Sequence, residues 1–113
     1  MRPGALLYAG HMAEVLFKDE RDGAELPPAQ SGSERAVKEV LSWAEANHFA
    51  QVVFWRDGAD QGRFWVQLDD QRLNYWVPAS TLQDGGHEQI EMQLDYARGA
   101  QRRSAAGYDK FDK

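Results

Sequence analysis

The residues of this chain that could do acid–base or metal chemistry are few and scattered. It has three histidines, His11, His48 and His87, and no cysteine. No two of these histidines stand two or four residues apart, so neither a strand nor a helix pairs them as metal ligands. We expect His48, which follows a predicted helix, to be a cap or to lie at the edge of the core instead of binding a metal. The carboxylates of Asp69 and Asp70 could bind a hard cation or exchange a proton. Their position at a predicted hairpin instead favours the interpretation that both are turn residues.

Motifs for nucleotides, cofactors and nucleophilic catalysis are absent from the sequence. It contains no G-x-S-x-G, no P-loop and no G-x-G-x-x-G. A small enzyme using Asp or Glu with His would need a pocket where a perturbed carboxylate meets a histidine, and no spacing indicates one. The sequence therefore predicts no catalytic residue, no cofactor and no metal site.

The strongest chemical signal is aromatic. Trp55, Trp65 and Trp76 fall in three consecutive predicted strands. Strand alternation places Trp65 opposite Trp76. A five-residue loop over 57–61 keeps Trp55 on that face, whereas a six-residue loop points it to the other face. The candidate partner-binding residues are Trp55, Trp65, Trp76, Arg63, Arg72 and Asn74.

Three interpretations of this tryptophan-rich face are open. Another element, such as the N-terminal strand or the C-terminal tail, could cover the rings, because three exposed tryptophans would form a costly apolar patch. The rings could instead anchor a protein partner, since tryptophan and arginine are enriched among interface hot spots. They could also stack nucleic-acid bases or sugars.

One helix and three strands position these residues. Val37, Val40, Leu41 and Ala44 recur at helical spacing and predict a helix over residues 32–46. Ser31 and Glu34 have the spacing of a capping box, and Asn47 is expected to end the helix in the left-handed conformation.

Strands are predicted at residues 51–56, 63–69 and 72–77, with Asp70 and Gln71 as the second turn. This register sets Leu68 opposite Leu73, Val66 opposite Tyr75 and Phe64 opposite Val77. All three pairs are apolar, which supports the register.

The remaining segments are less regular. Residues 12–25 fit either a strand over 13–18 or a helix broken by Gly10, and we favour the strand. Ile90, Met92, Leu94 and Tyr96 alternate with polar residues, which predicts a fourth, half-buried strand over residues 88–96. From Gly99 onward the apolar periodicity disappears, which predicts a mobile tail.

The chain is long enough for a single domain. It has 113 residues, 42% of them hydrophobic and 27% charged, which is ordinary globular composition. The predicted fold class is α+β, with one helix packed on one face of an antiparallel sheet of four to five strands. The domain is expected to span residues 1–98, with 1–11 a candidate loose segment, followed by a mobile basic tail over 99–113.

Charge and composition restrict the partners. The formal net charge is −5; residues 1–97 carry eight basic against sixteen acidic residues, and the tail is basic. An acidic body repels phosphate backbones and attracts basic proteins.

No apolar run approaches the roughly 20 residues of a membrane helix, and no secretory signal is visible, so we expect a cytoplasmic location. Arginine outnumbers lysine by nine to four, which fits a bacterial source with a GC-rich genome.

These observations favour a small acidic binding protein without catalytic activity. The expected partner is a protein of basic charge, and an inhibitor or an immunity- or antitoxin-type regulator fits the size and the acidity. The alternative is binding of single-stranded nucleic acid or carbohydrate through the tryptophan and arginine side chains, although the acidic body disfavours nucleic acid.

Overall fold

The computed structural model describes residues 12–105. Within this range four strands form one sheet in the order β1-β2-β3-β4. A short 3-10 turn spans Pro28–Gln30. The elements, in chain order, are β1 (Glu14–Asp19), α1 (Glu34–Ala46), β2 (Gln51–Arg56), β3 (Arg63–Leu68), β4 (Gln71–Pro78), α2 (Ala79–Asp84) and α3 (His87–Ala105). The α+β class is confirmed, but the described residues form three α-helices instead of the predicted one.

The sheet was predicted to be antiparallel, but it is mixed, with one parallel pair of strands. β1 runs parallel to β2, with Val15 beside Val52, whereas β2, β3 and β4 form the predicted antiparallel meander. The reason is the connection between the strands: α1 lies between β1 and β2, and such a crossover returns the chain to the end from which β1 started. The preference for a strand over residues 13–18 is confirmed by β1.

The core lies between the helices and one face of the sheet. Phe17 and Phe54 stack with ring centroids 5.1 Å apart, and Phe64 meets the Phe17 ring edge-on at 5.8 Å. The predicted burial of Val66, Phe64 and Leu68 is confirmed. On the helical side, the apolar stripe of α1 is buried as predicted, and its members are Val37, Val40, Leu41 and Ala44.

α1 ends at Ala46 as predicted, but it begins two residues later than predicted, and the residues that cap it differ. The N-cap is Ser33, whose hydroxyl accepts a hydrogen bond from the backbone N–H of Ala36 at 3.0 Å. Ser31 instead donates its hydroxyl to the carbonyl of Pro27, so the proposed capping box does not form. At the other end, His48 has the left-handed backbone conformation, with φ 64°, that was predicted for Asn47.

The predicted register between β3 and β4 is right at one end and wrong at the other. Phe64 pairs with Val77 and Trp65 with Trp76, as predicted, but Gln67 pairs with Arg72 because a bulge interrupts the ladder. Leu68 therefore lies opposite Gln71 instead of Leu73.

The second turn is Asp69-Asp70 instead of Asp70-Gln71. Asp69 adopts a left-handed conformation, with φ 53°, which aspartate tolerates better than most residues. Its carboxylate accepts hydrogen bonds from the backbone N–H groups of Ala50 and Gln51 at 2.8 and 3.1 Å. These bonds fix the turn against the start of β2, and the two aspartates are turn residues as expected.

The predicted strand over residues 88–96 is wrong, because this segment belongs to α3. Ile90, Leu94 and Ala97 are buried, whereas Met92 and Tyr96 are exposed. The buried residues recur at helical spacing. The apparent alternation arose because the exposed apolar residues Met92 and Tyr96 each follow a buried residue, Ile90 or Leu94, by two positions.

α3 also extends into the segment predicted to be a mobile tail. Residues 99–105 continue the helix, and Ala100 is buried. The rest of the predicted tail, 106–113, lies outside the described residues. The candidate loose segment 1–11, including His11, also lies outside them.

Candidate functional site

The sheet register aligns the three tryptophans side by side. Trp55, Trp65 and Trp76 are direct partners on β2, β3 and β4, and Lys18 of β1 lies next to Trp55. One row therefore crosses all four strands, and Trp55 lies on the same face as Trp65. We call this surface the tryptophan face and define it by Lys18, Trp55, Arg63, Trp65, Arg72, Asn74 and Trp76.

Strand alternation explains why these rings point away from the core. The neighbours Phe54, Phe64 and Val77 point towards the helices, so the next residue on each strand points to the opposite side. Among the described residues, the three helices all pack on the first side. The same side of the sheet as the tryptophan face also carries a second, smaller cluster, in which Leu16 and Val53 are buried and Trp55 packs against them.

The rings are partly covered by cations of the same face. The guanidinium carbon of Arg63 lies 5.6 Å from the Trp65 ring centroid and 5.2 Å from that of Trp76. The guanidinium carbon of Arg72 lies 4.9 Å from the Trp55 centroid, and the Lys18 ammonium lies 5.4 Å from it. Cation–π contacts of this kind contribute about 0.5–2 kcal/mol each.

Exposure differs along the row. Trp55 and Trp65 are half-buried, whereas Trp76 is 41% exposed. Asn74 is also exposed and lies between Arg72 and Trp76 on β4, in the bulged part of the strand. The structure thus brings all six predicted partner-binding residues to one face.

A buried carboxylate that the sequence analysis missed holds the centre of the face. One oxygen of Asp57 accepts hydrogen bonds from the backbone N–H groups of Ala59 and Asp60, at 2.6 and 3.1 Å. The other oxygen accepts from the Arg63 Nε and the Trp65 indole N–H, both at 2.8 Å. Asp57 therefore shapes the β2–β3 loop and orients two residues of the tryptophan face. Its position before a glycine in a hairpin loop was the available sequence signal.

These donors determine the ionisation of Asp57. The Ala59 N–H and the Trp65 indole lower the pKa of its carboxyl to about 2, against the opposing effect of burial. The group is therefore a fixed anion at neutral pH and not a proton donor.

Three further hydrogen bonds hold the face in place. The Trp55 indole N–H donates to the Gln67 amide oxygen at 2.9 Å. Glu20 accepts from the backbone N–H of Gly58 at 2.9 Å and from a terminal nitrogen of Arg72 at 3.1 Å. Trp55, Trp65, Arg63 and Arg72 therefore each have a fixed partner before any ligand arrives.

The other charged clusters join elements of the fold. Asp19 accepts hydrogen bonds from Arg21 and Arg56, which hold the pKa of its carboxyl far below the usual range. His87 of α3 lies 2.5 Å from the Glu39 carboxylate of α1, which raises the pKa of the imidazole. Within residues 12–105, no three His, Asp or Glu side chains are grouped to hold a metal ion.

Over the part of the chain that the structure describes, no helix is both long and apolar enough to cross a membrane. The chain matches no protein-family model, and searches of curated proteins and of solved structures found no similar protein.

Proposed function

We propose that this chain is a non-catalytic binding protein that engages a protein partner through the tryptophan face, as an inhibitor or an immunity- or antitoxin-type regulator. The observation that carries the proposal is the row of three tryptophans in direct register on the sheet face opposite the helices. Tryptophan and arginine are the residues most enriched at protein–protein hot spots.

The hydrogen bonds of the face support binding by a preformed surface. Asp57 holds Trp65 and Arg63, and Gln67 holds Trp55. Immobilising a free, rotamer-rich side chain on binding costs about 0.5–1.5 kcal/mol. Side chains already held in the free protein avoid much of this penalty, so more of the contact energy remains for affinity.

The position of the arginines favours a protein over a nucleic acid or a carbohydrate. A base or sugar that stacks needs a free ring face. Here the Arg63 and Arg72 guanidinium groups already lie over the three rings, and a stacking ligand would have to displace them. The net charge of −5 further disfavours a phosphate backbone and favours encounter with a protein of positive net charge.

Affinity capture with matched variants tests the proposal. Trp76→Ala removes the most exposed ring of the row, whereas Tyr96→Ala removes a ring of similar exposure, 56%, on α3. If the face binds the partner, Trp76→Ala should weaken capture about thirtyfold or more, the effect of a hot-spot truncation of about 2 kcal/mol. Tyr96→Ala should capture normally. Equal capture by both variants would show that the partner binds elsewhere.

Quenching of tryptophan fluorescence by iodide tests whether the face is free in the isolated protein. Trp43 is the fourth tryptophan; it is buried and its indole donates to Asp95, so it should resist quenching. We expect iodide to quench the wild type and to quench Trp76→Ala less, because only the half-buried Trp55 and Trp65 then remain on the face. A wild type that iodide does not quench would mean that the rings are covered, and the proposal would then fail.

A further inference from the structure

α3 presents to solvent one face that no described element covers. Its buried residues, which include Ile90 and Leu94, point towards α1 and the sheet. On the opposite side of the helix a set of residues recurs every three or four positions and forms one line along it. We call this set the α3 stripe, and its members are Glu88, Met92, Tyr96, Gly99 and Arg103. Met92 and Tyr96, at its centre, are two of the four large apolar side chains that are exposed within residues 12–105.

The α3 stripe is acidic at one end and basic at the other. Glu88 lies in the first turn of α3, and Arg103 lies in the last turn. Both side chains are exposed, and neither belongs to an ion pair within residues 12–105. The helix macrodipole favours this order of charges, but it gives no reason for the exposed Met92 and Tyr96 between them.

Gly99 is a glycine that packing within the described chain does not require. A Cβ built on Gly99 would meet only the end of the Arg103 side chain, at the ordinary contact distance of 3.5 Å. Glycine is less favourable than alanine inside a helix, and its use there suits a place where another chain approaches the backbone closely. The α3 stripe therefore carries a protruding side chain, Met92, and about two turns further on a shallow gap at Gly99.

We infer that the α3 stripe is a self-association surface, on which a second copy of this chain packs its own α3 in the antiparallel direction. A two-fold axis near Tyr96 sets Glu88 opposite Arg103 of the second copy. The same axis sets Met92 opposite Gly99 of the second copy, and each contact is made twice, as in every isologous interface. The charges are then complementary at both ends, and the methionine fills the gap over the glycine. A parallel pairing would instead set like charges against each other.

Self-association is separate from the proposed function. The α3 stripe lies on the helical side of the sheet, whereas the tryptophan face lies on the other side, so neither surface blocks the other. A single helix face buries less than the roughly 800 Å² per partner of a standard interface. We therefore expect a weak dimer, which forms as the protein concentration rises towards about 1 mM.

Sedimentation velocity of the full chain between about 10 µM and about 1 mM measures the association. We expect the mean sedimentation coefficient to rise from the monomer value towards the dimer value over this range. Methyl NMR locates the surface, because the Met92 methyl signal should shift with concentration. The signal of Met12, which is 91% exposed, should not shift, and the Trp76 indole signal is the matched probe of the tryptophan face.

Charge reversals test the antiparallel pairing. Glu88→Arg and Arg103→Glu should each weaken self-association about tenfold or more, because each variant sets like charges against each other at both ends of the dimer. An equimolar mixture of the two variants should recover the association, since every pair then joins opposite charges. That recovery would also show that both variants are folded.

Glu34→Arg is the matched control. It makes the same change of charge on the exposed first turn of α1 and should associate like the wild type. A mixture of Glu34→Arg with Arg103→Glu has the same total charge as the mixture of Glu88→Arg with Arg103→Glu. It joins opposite charges at only one end of the dimer, so it should recover less association.

Three results would overturn the inference. The first is a chain that stays monomeric at about 1 mM. The second is wild-type association in both Glu88→Arg and Arg103→Glu, or no recovery in their mixture. The third is a concentration-dependent shift of the Trp76 indole signal without a shift of the Met92 methyl signal, which would assign self-association to the tryptophan face.

Discussion

The assignment of residues 88–96 to a helix can be tested with two neighbouring substitutions. In α3, Leu94 is 1% exposed and belongs to the main core, whereas Met92 is 46% exposed. In a strand, the two side chains would share one face and have similar burial. Leu94→Ala and Met92→Ala therefore have different consequences in the helix and similar consequences in the strand.

The magnitudes follow from burial. Leu94→Ala removes a fully buried side chain and leaves a cavity, which costs about 2–5 kcal/mol. Met92→Ala removes a side chain that is nearly half in water, and alanine favours the helix, so we expect a loss below about 1 kcal/mol. Domains of this size unfold with about 5–15 kcal/mol, so the first variant should lose a large part of its stability.

Urea denaturation followed by far-ultraviolet circular dichroism measures both variants. At about 4 °C per kcal/mol for a domain of this size, Leu94→Ala should also lower the melting temperature by roughly 10 °C or more. If the two variants lose the same free energy of unfolding within about 0.5 kcal/mol, the side chains share one environment and the helical assignment is incorrect.

Three further outcomes follow from the structure. A Cβ on Gly85 would lie 2.4 Å from the Thr81 carbonyl oxygen, whereas one on Gly86 would meet nothing within 4 Å. Gly85→Ala should therefore lower the free energy of unfolding by about 1–3 kcal/mol, measured by thermal denaturation. If Gly85→Ala and the control Gly86→Ala melt at the same temperature, the predicted clash does not occur. Because the Asp57 carboxyl has a pKa of about 2 when folded and about 3.9 when unfolded, its contribution to stability is complete above pH 4 and is lost as the pH falls towards 2. Asp57→Asn should show a smaller drop in melting temperature over this range, and an unchanged drop would mean that other carboxylates dominate. Ending the chain after residue 98 removes the last turns of α3 with one buried alanine, so the melting temperature should fall by several degrees, and no change would show that these turns do not stabilise the fold.

The meander and its tryptophan row could be predicted from the sequence because both depend on local alternation. In β2, β3 and β4 a period of two separates residues facing the core from residues facing away from it, and the pairing of Trp65 with Trp76 followed from it. The helical stripe of α1 is equally local. Its caps were misplaced by one or two residues, since Ser31 and Ser33 are both good N-caps and only the path of the preceding loop selects between them.

Tertiary structure decided the features that depend on distant partners. The parallel pairing of β1 required the crossover through α1 to place it beside β2. The apolar residues at the start of α3 recur at every second position, as in a strand. Only the packing of α3 against α1 and the sheet determines that Leu94 is buried while Met92 is exposed.

The site divides in the same way. The residue types of the tryptophan face are visible in the sequence, and strand alternation places Trp65 and Trp76 on one side of the sheet. The contact of Asp57 with Arg63 and Trp65 depends on how the β2–β3 loop folds back over the sheet. No periodicity encodes that contact, because it joins a loop carboxylate to side chains six and eight residues away, and the three-dimensional path of the loop determines whether they meet.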